Sequence, residues 1–589
     1  MSILKLSLEE LVTALAKGHL TSSEVLKAYR ARAELIHHAC NAVACWIPEA
    51  EQGAREADEH LQRTGQVLGP LHGVPFTVKD HVMVKQTPIT MGMKKLQNSG
   101  KTSRRDEHLV TVFQSLGAIP FAKSTMSQLL GFAESVVFYF PSSKSTRNRE
   151  SMGDVFYSLV IWVANPRLGM TIGGGSPAHG DTLNPWDTRR SSGGSSAGEG
   201  ALIGGGAAPF GIGSDVGGSV RVPAAFCGIS SLKPTCGRIS MMLSRPGEYF
   251  VPATAGVMAR TAADLSLVYS HLLAKGLNDG LPRLPPIPFN QPEFSSKRPL
   301  RIGYYVEEYT FPKPCAAVCR AMEEACSALK ALGHELIEFK PHTDGVLPKE
   351  MVWDVDASFY VSSRPYKEVV KELKSEKSAQ TAEEIKSHVI GVDSEEAHPD
   401  LIGMFSSHEP YASRNVQHAG SLGGSSIGHE QIYASRDKMR ERFYKAWQAS
   451  ELDVLLCPAF ATPALHVEEV PYSASNVITT RVYNLLDMPA GVVTVTSVNH
   501  SDLSQGYDPG TTNPDVTRMA MRAVEDSLGL PVAVQLVTLP WKEELCLRAM
   551  TELEKAVACD QNHSHHLLQP EARRSPSLGA APIPLGARL

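Results

Sequence analysis

The sequence predicts an α/β protein, and three observations carry that prediction. Apolar residues make up 42% of the 589 residues and charged ones 20%, ample material for a large core. The segment EHLVTVFQSLGAIPFAKST, Glu107 to Thr125, passes from an apolar-faced helical period into a short strand ending at Ala122. Late in the chain DVLLCPAF, GVVTVTSV and PVAVQLV are apolar enough to be strands buried on both faces.

The elements follow in order. Ser7 with Glu10 and Thr21 with Glu24 each form a capping box, before segments where Leu11, Leu15, Val25 and Leu26 recur at helical spacing, so two amphipathic helices open the chain. After Gly69 and Pro70, LHGVPFTVKD reads as a turn entering a short strand that carries Lys79, with Phe76 and Val78 as local apolar flanks. From Val136 to His179 no period is sustained, and the apolar run Val155 to Ala164 is too short to span a bilayer. Between Asn184 and Ser240 glycine and serine dominate, but interleaved Ala, Ile, Val and Phe exclude a flexible linker. Pro282, Pro285, Pro286, Pro288 and Pro292 make a stiff surface connection between halves, before LRIGYY begins a new strand. Residues 316–332 read as a helix, HELIEF as a strand, 345–450 as mostly polar helical material, and 561–589 as a disordered tail.

Composition also excludes classes of partner. With 57 basic against 62 acidic residues the formal charge is -5, which offers no electrostatic footprint for nucleic acid and suits a small-molecule substrate. The opening MSILKLSLEELVTALAKGHL lacks a basic n-region and apolar h-region, and no run approaches the ~20 apolar residues of a span, so the protein is expected to be soluble and cytoplasmic. Ten scattered cysteines suit reduced thiols, and Cys315, Cys319 and Cys326, at i, i+4 and i+11, suit one buried helix face better than a metal site. His563, His565 and His566 lie in a polar, proline-flanked stretch, and H-E-x-x-H is absent.

The most informative segment is RRSSGGSSAGEGALIGGGAAPFGIGSDVGGSVRVPAAFCG, in which two serine-bearing glycine clusters put Ser195 and Ser219 24 residues apart. Without a Cβ, glycine lets several backbone N–H groups converge on one oxygen, the requirement of an oxyanion hole. G-x-x-x-x-G-K-[ST] is absent, which weakens a phosphate cradle. Beyond Ser196 and Val220, Ala197 and Arg221 stand where G-x-S-x-G needs its second glycine, so neither serine fits that elbow.

With GVPFTVKD, NPWD, FCGISSLKPT, DVLLCPA, DMPAGVVTV and PVAVQLV, this segment resembles the amidase signature family over nearly the whole chain, and is most similar to its fatty acid amide hydrolase and fungal acetamidase branch. The resemblance implies a large mixed β-sheet flanked by helices on both faces. It implies one domain over 1–560, with a catalytic Gly/Ser core at 70–260, an atypical insertion at 136–179 and a helical region at 315–450. It further implies that Lys79 is the distant base, Ser195 the relay serine on a cis peptide, and Ser219 the nucleophile. The N–H groups of Val216, Gly217, Gly218 and Ser219 would hold the oxyanion with Ser195 beside them, while Ser196, Ser214, Asp215 and Arg221 would fix the geometry through hydrogen bonds.

The implied reaction is hydrolysis of a carboxylic amide, either a fatty acid amide or a small aliphatic or aryl one, through an acyl-enzyme, with water and no cofactor or metal. A homodimer is compatible with the resemblance. Rival readings are a glutamine-dependent amidotransferase subunit, against which EGALIGGG argues, and a binding protein disabled by the insertion. Two departures stand out. Ala197 replaces a usual glycine, and 44 residues, Val136 to His179, intervene where relatives need only a few. Their aperiodic composition and sharp junctions favour a gene-model error over a lid.

Overall fold

Capping chemistry sets the first two helices, α1 (Leu8–Ala16) and α2 (Ser22–Cys40). In each, the cap hydroxyl of Ser7 or Thr21 accepts the N–H three residues on, and Glu10 or Glu24 reaches back to the cap. The computed structural model describes residues 2–128, 136–137, 160–161, 172–241, 251, 253–274, 284–349, 351–352 and 426–560.

Eleven strands form one mixed sheet. In chain order they are β1 (Val43–Trp46), β2 (Pro75–Lys79), β3 (Ile119–Ser124), β4 (Phe210–Asp215), β5 (Ser230–Lys233), β6 (Thr254–Ala259), β7 (Arg301–Tyr304), β8 (Glu335–Glu338), β9 (Val454–Pro458), β10 (Ala490–Ser497) and β11 (Pro531–Val537). Across the sheet they run β1-β3-β2-β4-β6-β5-β10-β11-β9-β7-β8. β2 is parallel to both β3 and β4, and β7 to both β8 and β9, while the remaining neighbours are antiparallel. The strands expected from LRIGYY, HELIEF, DVLLCPAF, GVVTVTSV and PVAVQLV are β7 to β11. The proline-rich connection does not divide the sheet, because β5 on one side of it pairs with β10 on the other, Ser231 opposite Val492.

Alternation along the strands builds two apolar layers. On β9, Leu455 and Cys457 enter one layer and Val454 and Leu456 the other. The first layer packs against α2, α3 (Ala50–Thr64), α5 (Ala197–Gly204), α6 (Arg221–Cys227) and α9 (Ile478–Leu485). The second packs against α1, α4 (His108–Ser115), α7 (Ala262–Ala274), α8 (Ala316–Ala331) and α10 (Glu543–Asp560). Helices therefore cover both faces, as the resemblance implied.

The cysteine stripe differs from expectation. Cys315 is buried at the start of α8, but Cys319 and Cys326 are only half-buried, because Ala317, Val318, Ala321, Met322, Ala325 and Leu329 form the inward face. Most of 136–179 and of 345–425, and all of 561–589, lie outside the described residues. Val136–Val137 and Val160–Ile161 pair antiparallel. The last eight residues of the 136–179 stretch are built into the fold: Ile172 is buried, Gly175 accepts the Gln128 N–H at 3.1 Å, and Ala178 donates to Gly92 at 3.1 Å.

Candidate active site

The alternation of β2 decides where the lysine goes. Phe76 and Val78 point into the α4 layer, where Phe76 stacks on Phe210 at 5.4 Å between ring centroids, so Thr77 and Lys79 point to the opposite face, toward α5. The apolar sequence neighbours are thus not what dries Lys79. Tertiary burial is: the side chain is 0% exposed, and burial pushes its ammonium down to about 7, against the opposing pull of Asp215 and Glu199. Lys79 Nζ lies 2.7 Å from Ser195 Oγ and 3.2 Å from Ser214 Oγ.

Ser195 follows a cis Gly194–Ser195 peptide just before α5. Its loop is tightly walled, since a Cβ at Gly194 would stand 1.8 Å from the Gly173 carbonyl, which also accepts the Ser127 hydroxyl. Ala197 fits: it is the first residue of α5, fully buried. Ser219 sits between β4 and α6, 4% exposed. Its carbonyl accepts the Ser196 N–H at 3.1 Å, which ties the two glycine–serine loops together, while its hydroxyl makes no hydrogen bond among the described residues. Ser196 Oγ joins Ser214 through two 3.4 Å bonds, to the Ser214 carbonyl and from its N–H.

Asp215 organises the second loop. Its carboxylate accepts the Gly218 N–H at 2.9 Å and the Val220 N–H at 3.2 Å, and pairs with Arg221 through Nε at 3.1 Å and a terminal nitrogen at 3.0 Å. Burial opposes its charge, yet the Arg221 guanidinium and the Asn484 amide hold it well below the usual carboxylate range. Gly218 spends its N–H on this turn, whereas the N–H groups of Val216, Gly217 and Ser219 have no acceptor among the described residues.

The supporting residues that the sequence reading missed come from the far half of the sheet. On α9, Thr480 Oγ1 donates to the Gly217 carbonyl at 2.5 Å, Arg481 donates to the Val216 carbonyl, and Asn484 bonds both Asp215 at 2.9 Å and Arg221 at 2.6 Å. On β11, Gln535 accepts from Arg221 at 2.7 Å. A trans peptide carries its C=O and N–H on opposite sides, so pinning the carbonyls of Val216 and Gly217 on α9 turns the N–H of Gly217 and Gly218 away from that helix. Gly218 has φ +129°, and a Cβ there would meet Thr480 Oγ1 at 2.2 Å, so glycine is required twice over. One signal was available: Gln535 is the only polar side chain in PVAVQLV, and an amide in an otherwise apolar buried strand needs partners. Glu199 on α5 is a further buried carboxyl, bonded by Thr77 at 2.5 Å and Ser124 at 2.8 Å.

Among the described residues no group of His, Cys, Asp and Glu is arranged to hold a metal ion, and no helix is long and apolar enough to cross a membrane. The amidase family profile matches residues 24–152 and 164–547. The chain is 32% identical over 575 residues to fatty-acid amide hydrolase 1 of Sus scrofa, covering 94% of this chain and 86% of that one. It is 27% identical over 567 residues to the acetamidase of Emericella nidulans, covering 94% and 90%. Among solved structures, a fatty acid amide hydrolase superposes with a TM-score of 0.69 at 23% identity over 94% of this chain and 85% of that one. The native peptide amidase of Stenotrophomonas maltophilia does so at 0.63 and 19% identity, over 94% and 97%.

Proposed function

We propose, from the premise that this chain belongs to the amidase signature family and is a hydrolase of carbon–nitrogen amide bonds, that Ser219 is its nucleophile, Ser195 its relay and Lys79 its base. The observation that carries the reading is the 2.7 Å bond from Lys79 Nζ to Ser195 Oγ in a site where the lysine is fully buried. A serine hydroxyl is a weak nucleophile until a base takes its proton, and a desolvated lysine is neutral often enough near pH 7 to do so.

In the forward step the Ser219 proton passes to the Ser195 oxygen as the Ser195 proton passes to Lys79, while Ser219 Oγ bonds the amide carbon. The N–H groups of Val216, Gly217 and Ser219, which have no acceptor among the described residues, are the donors for the resulting oxyanion, with Gly218 holding the turn through Asp215. The relay then runs backward, delivering a proton to the leaving nitrogen as the C–N bond breaks. Water attacks the acyl-enzyme by the same route to release the acid. Ser196, Ser214, Asp215 and Arg221 act by holding these groups in place.

Likeness to both a fatty-acid amide hydrolase and an acetamidase supports a linear carboxylic amide, long-chain or small, as the substrate. Two measurements test the reading. A fluorophosphonate probe should label the wild-type protein and leave Ser219→Ala unlabelled; labelling retained in Ser219→Ala would place the nucleophile elsewhere. Hydrolysis rates across acetamide, aryl amides and oleamide then rank chain length, and a flat profile would show that pocket size does not select the substrate.

A further inference from the structure

Thr77 and Lys79 share one face of β2, and Ser124 lies directly opposite Lys79 in the parallel register of β3. Glu199 reaches onto that same face from the first turn of α5, fully buried, and takes the Thr77 hydroxyl at 2.5 Å and the Ser124 hydroxyl at 2.8 Å. Its carboxyl lies flush against β4: a Cβ at Gly211 would stand 1.9 Å from Glu199 Oε2, so a glycine makes its room. A carboxyl buried for packing alone is expected to be paired directly with a cation or replaced by an apolar group. Among the described residues Glu199 has only two neutral hydroxyls as hydrogen-bond partners, and Lys79 is a cation that favours its charged form.

We propose that Glu199 is a positioning residue that supplies the counter-charge for Lys79, its carboxylate steadying the ammonium each time the lysine carries the proton received through Ser195. The inference rests on the serine–serine–lysine reading. That reading needs a lysine that alternates between neutral and charged in a dry site, and the charged half of the cycle needs a compensating anion there.

The other charged groups in electrostatic reach are already committed. Asp215 also pulls on Lys79, and more strongly than Glu199, but it is held in a direct ion pair with Arg221 at 3.0 Å; Lys123 stands 3.9 Å from Asp80, and His81 is kept neutral by burial and by the cations of Lys79 and Lys123. Burial also pushes the Glu199 carboxyl up, against the pull of its hydroxyl donors and Lys79, so a charge on Lys79 favours a charge on Glu199 and the reverse.

The sign follows from charge. A carboxylate nearby favours the ammonium, so removing it makes neutral lysine persist to lower pH but leaves it a weaker base. The test is the pH profile of fluorophosphonate labelling of the full-length protein. Glu199→Gln is expected to move the acid limb down by about one pH unit and to slow labelling on the plateau about tenfold. Thr77→Val, which keeps the carboxyl but removes one of its donors, should shift the limb in the same direction by less, and it serves as the reading if Glu199→Gln does not fold. A folded variant, judged by its thermal midpoint, whose acid limb coincides with wild type overturns the inference while leaving the triad standing. Wild type that takes no label overturns the triad and this inference with it.

Discussion

The Gly/Ser core between β2 and β6 and the C-terminal segment of α9 and β11 divide the site between them. The first supplies the three groups proposed to exchange protons, Lys79, Ser195 and Ser219, and the second supplies the hydrogen bonds that hold the Val216 and Gly217 carbonyls and Asp215 from behind. Reacting groups are few and must be of particular chemical types. Supporting groups need only present a donor or acceptor at the right point, so their residue types are less revealing. The difference teaches that a buried loop whose N–H groups face a substrate needs its carbonyls anchored by a separate element of the fold.

The largest effect that would break this division is on the reacting side. Lys79→Met is expected to lower kcat/KM by about 10⁴-fold. The same change should stabilise the fold at pH 7, because the unfolded lysine keeps its proton up to its ordinary value near 10.5 while burial pushes the folded one down to about 7. The folded state therefore binds fewer protons between those values, so wild-type stability climbs with pH across that window. The advantage of Lys79→Met should accordingly be full at pH 7 and vanish toward pH 10.5, as read from thermal midpoints. An unchanged or lower midpoint at pH 7 would show that the lysine contributes more by packing than its burial costs.

Arg221 spans the two regions, so its loss should strike both activity and stability. Arg221→Ala leaves Asp215 buried without its cation and releases Thr480, Asn484 and Gln535, and a loss of about 3–5 kcal/mol in urea unfolding is expected along with probe labelling. Arg221→Lys should not restore labelling, because a single ammonium cannot reproduce a guanidinium fork serving four partners. Full rescue by lysine would mean that charge alone, without geometry, suffices.

The smallest effect sharpens the comparison from the supporting side. Thr480→Val keeps the shape but removes the donor to the Gly217 carbonyl, so labelling should slow about tenfold while stability falls by only about 1 kcal/mol. A stability loss without a rate loss would place Thr480 in the packing of α9 and not in the alignment of the loop.

Legibility followed the same division. The capping boxes, the strand ending at Lys79 and the three late strands were readable because each depends on residues within a few positions of one another. The cysteine stripe was misjudged because helical spacing says which residues share a face but not how wide the buried face is. The apolar flanks of Lys79 in sequence do not account for its dryness, since Phe76 and Val78 occupy the other face of β2.

By itself the sequence determined the α/β class, the order of the principal helices and strands, and the chemical identity of the groups placed at Lys79, Ser195 and Ser219. Only the tertiary structure decided that Glu199 shares the lysine's face and that Gly218 gives its N–H to Asp215. It alone decided, too, that α9, more than 250 residues along the chain, holds the Gly217 carbonyl through Thr480, and that Gln535 on β11 holds Arg221. The physical reason is range. Capping and periodicity act over a few residues and leave a mark in the local pattern, whereas desolvation and long-range hydrogen bonds depend on which surfaces the sheet brings together.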